Sequence, residues 1–427
     1  VRSWLSSLRV YANRQIIAQF FLGIPSGLPL ALTAGTLAVW LTEAGISKSA
    51  IGIFAAVAIP YSLKFLWAPL MDGTSFPLIG RFLGRRRGWM LATQCAMIVT
   101  LIFMSMSNPA AAPFFTGLCA LFLAFFSASH DIVKDAYRVE ILPPELQGAG
   151  AASFVLGYRI GNIFSTAGAL YLASSVSWQA TYLIMAAILG VLLLMVFVIK
   201  EPDAYAAEGE ALKEHGLSGW IKTFVIMPFI EFLGRPQAIT ILLFILLYRM
   251  ADAFLGVMAN PFYIELGFTK IQIAEVVKLY GLLATIIGSI IGGAMVFRLG
   301  TIRSLWIGGI AASVSNLMFV WQAHVGAEPY ALALTISLDN LSGGLATAAF
   351  VAYMSQLCNL RFTATQYALL SSFSAFGRTW LSTPSGYAAE TLGWDGFFIL
   401  STMIGIPALL VLWRLTATSL PAASTSK

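Results

Sequence analysis

The chain has 427 residues, 59% of them hydrophobic and only 10% charged, with a mean hydropathy of +0.83 and a formal net charge of +6. A soluble domain carries roughly 25% charged residues, so this composition excludes a water-soluble enzyme or nucleic-acid-binding module and makes the lipid bilayer the solvent. The positive balance does not alter that, because the basic residues stand at the ends of apolar runs, where they set topology, and not on one polar face.

Apolar runs of about 20 residues recur from end to end, each long enough to cross a hydrocarbon core. Arg2, Arg9 and Arg14 precede the first run, with Trp4 and Tyr11 placed as interface anchors. The first span is expected near 16–41 and is interrupted by Gly23, Pro25, Gly27 and Pro29. Such breaks are tolerated where neighbouring helices or a cavity satisfy the freed backbone. Further spans are expected near 50–70, 89–106, 114–138, 149–173 and 178–199. The least hydrophobic stretch, Lys200 to Gln237, then carries Glu201, Asp203, Glu208, Glu210 and Glu214, and its second part, Leu217 to Phe232, is able to lie as an amphipathic helix on the membrane. Six more spans are expected near 238–263, 272–297, 304–323, 330–357, 366–388 and 395–415.

The reading is an all-α polytopic membrane protein of about twelve transmembrane helices in two six-helix bundles, residues 1–199 and 238–427, joined by a cytoplasmic linker over 200–237. With the amino terminus inside, Arg85, Arg86, Arg87, Lys200, Arg235, Arg298, Arg303, Arg361 and Arg414 fall on the cytoplasmic side, and only Lys48 and Lys270 in outside loops. That asymmetry predicts both termini in the cytoplasm. The first apolar run is a full span followed by many others, so no cleavable signal peptide is expected. Cys95, Cys119 and Cys358 lie in or at the edge of apolar runs without a Cys-x-x-Cys pair, which supports neither a disulfide frame nor a metal site.

The second span carries a lysine, Lys64, flanked by Tyr61 and Trp67, and ends Ala68-Pro-Leu-Met-Asp72 before the basic run Arg85-Arg86-Arg87. An embedded lysine is costly unless a partner or ligand uses it. Asp72 with the three arginines reads as a cytoplasmic gate, whereas Lys64, two helical turns further in, can face the pathway. The halves repeat weakly: the eighth span ends Gly293-Ala-Met-Val-Phe-Arg-Leu-Gly300, and Tyr158-Arg159 of the fifth span answers Arg378 of the eleventh. Two related bundles around a midplane site are the layout of many secondary transporters.

On the fourth span Asp131 and Asp135 are four apart and share a helical face, with Arg138 extending it. Either acid could bind a coupling proton; either could instead be held in an ion-pair cluster with Lys134 and Arg138. Lys64, Arg159, Arg249, Lys278 and Arg378 are basic residues within spans, and Asp252 and Asp339 (beside Asn340) are further acids able to meet them. An excess of fixed positive charge on a pathway suits an anionic substrate. Trp40, Tyr61, Trp67, Tyr158, Tyr248 and Trp380 could stack on sugar or nucleobase faces, although packing against lipid explains any single one as well. Gly281, Gly288, Gly292 and Gly293 read as close helix packing. No phosphate loop, metal pair or nucleophile elbow is present, so neither an enzyme nor a cofactor beyond the proton is expected, and no obligate protein partner is evident.

These elements, with the altered second-span loop motif in which Asp72 keeps its place, resemble the major facilitator superfamily. Within it, Ser26-Gly-Leu-Pro-Leu-Ala-Leu-Thr33, Lys64-Phe-Leu-Trp-Ala-Pro-Leu-Met-Asp72, Gly84-Arg-Arg-Arg-Gly-Trp89, Ser127-Ala-Ser-His-Asp131, Leu156-Gly-Tyr-Arg159 and Asp252-Ala-Phe254 resemble the AmpG-type anhydromuropeptide permeases of Gram-negative bacteria. The resemblance implies a multi-pass protein of the bacterial inner membrane. It also implies proton-driven import, by alternating access, of N-acetylglucosaminyl-1,6-anhydro-N-acetylmuramyl peptides for wall recycling. Such an anionic glycopeptide has sugar rings for the aromatics and carboxylates for the bases. Larger relatives extend beyond the twelfth span, whereas this sequence stops soon after Arg414. Acetyl-coenzyme A transporters share related stretches and are the alternative, followed by a membrane sensor or an acyl-handling enzyme.

Overall fold

In hydrocarbon every backbone N–H and C=O has to be satisfied within the segment that carries it, so each long apolar run folds as a helix. A computed structural model describes residues 8–203 and 216–419, and among these residues there is no strand. Arg2, Trp4, Glu208, Glu210 and Glu214 lie outside the described residues.

The first span is Arg14–Thr33 continued by Gly35–Glu43, the break falling at Ala34. The second is divided into short turns, Lys48–Phe54, Ala55–Ala58, Ile59–Leu63, Lys64–Leu66 and Ala68–Gly73. The third and fourth are long and continuous, Arg85–Ser105 and Pro113–Ile141. The fifth runs Gln147–Ile163 and Ala169–Ser175 through a π-helical turn, and the sixth is Trp178–Leu193 with Met195–Val198. After the linker helix Gly216–Leu233 come Ala238–Leu247 with Met250–Glu265, then Gly281–Leu299 preceded by a second π-helical stretch, Ile273–Tyr280. The ninth, tenth and eleventh are Thr301–Ser315 with Leu317–Val325, Pro329–Leu357 and Thr363–Leu381. Ser385–Ser419 completes the eleventh and forms the twelfth on either side of a kink at Gly393.

Among the described residues nine helices are long and apolar enough to cross a membrane, the linker helix included. The second span is absent from that set because it is broken into short turns. The fifth, tenth and eleventh are absent because glycine, serine and threonine dilute them. Those small residues have a packing role. Gly157 and Gly161 of the fifth span lie against the carbonyls of Phe20 and Ile24 in the first, and Gly288 and Gly292 of the eighth lie against Leu341 and Leu345 of the tenth. Small side chains let helix backbones approach this closely.

The halves meet at the end of the molecule that carries Arg85–Arg87. There Tyr11 donates to the Ile290 carbonyl at 2.7 Å, Arg138 to Ser355 at 3.0 Å and Gln356 to the Pro144 carbonyl at 3.2 Å. Tyr11, expected as a lipid-interface anchor, is therefore a seam residue, its ring seated where Gly293 of the eighth span leaves room. The linker helix docks at the same end, burying Phe224 and Phe232, with the Trp220 indole donating to the Gly73 carbonyl at 3.1 Å.

The internal repeat is visible in the backbone. Gly84 (φ 88°) precedes the third span and Gly300 (φ 83°) precedes the ninth, both in a region that L side chains rarely adopt. Only the first copy is crowded, because Glu201 lies against Gly84. The Glu201 carboxylate accepts the Arg86 and Arg87 amides at 2.7 and 3.0 Å, so a residue beyond the sixth span caps the third.

Two expectations follow from this corner. Gly84→Ala should lower the melting temperature of purified protein more than Gly300→Ala, since both add backbone strain of about 1–3 kcal/mol but only the former also meets a side chain. Burial raises the Glu201 carboxyl above its ordinary value, outweighing the two amide donors that lower it. A raised folded pKa gives a contribution that is complete below the unfolded pKa and is lost as pH rises through the folded one. The melting temperature of wild type relative to Glu201→Gln should therefore be highest in acid and fall as pH rises; a gap independent of pH would contradict this.

Candidate functional site

Asp72, at the end of Ala68–Gly73, is fully buried. One carboxylate oxygen accepts Arg86 at 2.8 Å and the Ala364 amide at 3.0 Å, and the other accepts the Thr365 amide at 2.7 Å. Those two amides are unsatisfied donors at the start of the eleventh span, so a carboxylate of one half caps a helix of the other. Arg86, itself buried, also holds Glu140 of the fourth span and the Met71 carbonyl. Arg85 donates to the Asp72 carbonyl at 2.9 Å, and Arg87 to the Val196 carbonyl at the end of the sixth span at 2.7 Å. The basic run is thus turned into the protein, Arg85 and Arg86 tying the ends of the second and fourth spans and Arg87 the end of the sixth.

Two turns further in, the fourth span presents its charges. Lys134 meets Asp131 at 2.9 Å and Arg138 meets Asp135 at 3.3 Å, both cations buried. Lys64 stands 4.0 Å from Asp135, linking the second span to the fourth, and Ser26 of the first span donates to Asp131 at 2.9 Å. Beside Asp131 the hydroxyls of Tyr61 and Ser127 are buried and find at most each other and Thr33 as partners, while Tyr158 approaches from the fifth span. Buried hydroxyls with so few partners mark room for water or for a ligand's polar groups.

The second half holds a polar cavity of about 330 Å³. Arg249, Asp252, Asp339 and Asn340 line it, together with Lys278 from the π-helical stretch and Arg159 from the fifth span of the first half. Arg249 pairs with Asp252 at 2.9 Å and donates to the Gly343 carbonyl at 3.0 Å, in the break between the two pieces of the seventh span. Asn340 is engaged with Thr285 at 2.8 Å. Among the described residues Arg159, Lys278 and Arg378 have no carboxylate within ion-pair distance, although Arg378 lies near Arg249 and Asp252. A π-helical turn places side chains off the regular helical stripe and is frequent at functional sites. Arg159 and Lys278 on the cavity wall can hold carboxylates or phosphates.

Not every candidate faces this interior. Trp67 packs on Phe125 and donates to Ser129 at 3.0 Å, at an apolar groove between the second and fourth spans. Trp40 stacks on Trp178, and the Tyr248 hydroxyl bonds the Leu305 carbonyl at 2.9 Å. Glu140 and Glu201, which hold the arginine run, were not singled out from the sequence. The available sign was that three consecutive arginines at a buried helix start need acids from other loops.

Residues 17–382 match the family model described as Major Facilitator Superfamily. The anhydromuropeptide permease of Escherichia coli (strain K12) is 39% identical over 407 residues, covering 95% of this chain and 80% of that protein. A Rickettsia conorii protein that carries the transporter name AmpG 4 is 38% identical over 409 residues, covering 95% and 98%. Among solved structures, the human organic anion transporter MFSD10 superposes with a TM-score of 0.66 at 16% identity, over 93% of this chain and 99% of that one. The proton:xylose symporter XylE superposes with a TM-score of 0.66 at 10% identity, over 96% and 95%. At these identities the structural likeness establishes the fold alone.

The Asp72 cap should be measurable through Cys358, which borders the seam near Asp72 and Arg138. In Asp72→Asn, removal of the charge leaves Arg86 short of one partner and weakens the cap, so a thiol reagent should label Cys358 several-fold faster than in wild type. Unchanged labelling, read by mass spectrometry, would show that Asp72 does not hold the halves together.

Proposed function

The chain belongs to the major facilitator superfamily and, within it, to the AmpG-type transporters, and we propose that it imports N-acetylglucosaminyl-1,6-anhydro-N-acetylmuramyl peptides across the bacterial inner membrane with protons. The observation that carries the reading is the set of cations with no acidic partner among the described residues, Arg159 and Lys278 on the wall of the polar cavity and Arg378 near Arg249 and Asp252, all three exposed. An uncompensated positive excess open to what enters the cavity attracts anions, which favours cargo bearing carboxylates. The spare hydrogen-bonding capacity of the Tyr61 and Ser127 hydroxyls in the first half suits sugar hydroxyls. In this arrangement the disaccharide lies towards the first half and the peptide towards the second.

Placing the Arg85–Arg87 end in the cytoplasm follows the bias of basic residues to that side. The seam then closes the cytoplasmic side, and the described state receives cargo from the periplasm. Alternating access requires breaking the Asp72, Arg138 and Tyr11 contacts and forming others at the far end. The Lys64–Asp135 pair is suited to gating because a shift of the second span against the fourth breaks it, while Asp131 stays paired with Lys134 of its own helix.

The reading is tested by uptake into proteoliposomes. Labelled anhydromuropeptide should accumulate under an inward proton gradient, collapse with an uncoupler, and be displaced by unlabelled muropeptide but not by acetyl-coenzyme A. Displacement by the thioester alone would assign the acetyl-coenzyme A alternative, and covalent change of the recovered cargo would indicate an enzyme. Arg159→Gln and Lys278→Gln should each raise the half-saturating concentration about 10–100-fold, the loss of one charged hydrogen bond of roughly 1.5–3 kcal/mol. The effect should disappear for a peptide-free disaccharide.

A further inference from the structure

Four carboxylates project from the spans into the polar interior: Asp131, Asp135, Asp252 and Asp339. Three have a cation in contact, Lys134 on Asp131, Arg138 on Asp135 and Arg249 on Asp252. Taking up a proton at any of these first requires an ion pair to be broken. Asp339 has no ion-pair partner among the described residues. The cation nearest in kind, Arg249, is already shared between Asp252 and the Gly343 carbonyl.

We propose that Asp339 is the carboxyl group that takes up and releases the coupling proton; this rests on the reading of the chain as a proton-coupled carrier. Every element packed around Asp339 contributes a group to the balance. The seventh span brings Arg249, Asp252 and Tyr263, the eighth Lys278, the ninth Ser315, and the fifth, from the other half, Arg159. Arg378 of the eleventh span faces Arg249 and Asp252. Ionised Asp339 repels an incoming cargo carboxylate in the cavity that it shares with Lys278 and Arg159. With a proton on its carboxylate oxygen, Asp339 is neutral and that repulsion is lifted. Proton and cargo therefore bind with positive coupling, which by linkage is reciprocal, and loss of cargo on the far side lets the proton leave.

The position of Asp339 also gives the charge change a lever. The tenth span lies between the eighth and ninth, and Gly344, one turn along from Asp339, seats against the Thr285 carbonyl of the eighth. At its other end the same helix receives Arg138 through Ser355. The helix whose acid is titrated is thus the one that the first half grips across the seam.

The test uses the full chain in proteoliposomes, as wild type and as Asp339→Asn, Asp339→Glu, Asp131→Asn and Asp135→Asn, with accumulation under a proton gradient and cargo exchange across a pH series measured for each. Asp339→Asn should lose accumulation above equilibrium, and the exchange it retains should no longer depend on pH. Asp339→Glu should restore accumulation with a displaced pH profile, which a purely structural role would not produce. Accumulation by Asp339→Asn at the wild-type level overturns the assignment. So does loss of pH dependence in Asp131→Asn or Asp135→Asn with that of Asp339→Asn intact. Should Asp339→Asn fail to fold, an unshifted pH profile in Asp339→Glu overturns it as well. If wild type itself shows no dependence on the gradient, it is the proton-coupled reading that fails.

Discussion

The closed end of the molecule depends on one carboxylate. Asp72 binds a guanidinium of its own half and two backbone amides at the start of a helix of the other half, all in a fully buried setting. Removing one partner of a buried pair costs about 3–5 kcal/mol, whereas a neutral hydrogen bond such as that of Tyr11 contributes roughly 1 kcal/mol. Two conformations of a protein commonly differ by a few kcal/mol. A single charge-and-cap contact is therefore of the right size to decide which end is shut, and the neighbouring seam contacts refine the fit. Arg86 is what keeps Asp72 aimed, and Glu140 and Glu201 are what keep the arginine run folded inwards. The whole corner is one network, so its members should act together rather than additively.

Hydropathy reports what the bilayer dictates, and that part of the fold was legible: long apolar runs that fold as helices in two bundles. Side-chain partners across long sequence separations were not. Asp131 and Lys134, or Arg249 and Asp252, are three apart, and their pairing could be anticipated from helical spacing. Nothing in the spacing indicates that Glu201 caps a helix beginning at Arg85, or that Asp72 caps one beginning at Thr363. Those contacts depend on where loops return in space. The broken second span was hidden for another reason: Pro60 and Pro69 begin new turns, yet hydropathy averages over the breaks. Tyr11 reads as a membrane anchor by composition and becomes a seam residue only because Gly293 leaves space for it.

The two halves use charge differently, and the difference bears on how transport is driven. In the first half each embedded acid has its cation, Lys134 on Asp131 and both Arg138 and Lys64 on Asp135. In the second half the cavity has one satisfied pair, one acid without a cation and cations without acids. Such a cavity has an unmatched charge set that can be completed by what enters it. A ligand shifts a conformational equilibrium only through its different affinity for the two states. An incomplete charge set supplies that difference if the cations converge in one state and part in the other. The paired acids of the first half can then serve as the hinge against which the second half moves. On this reasoning the energy of the cycle enters where charges are unmatched, and the ion pairs of the fourth span set how far the bundles travel once it has.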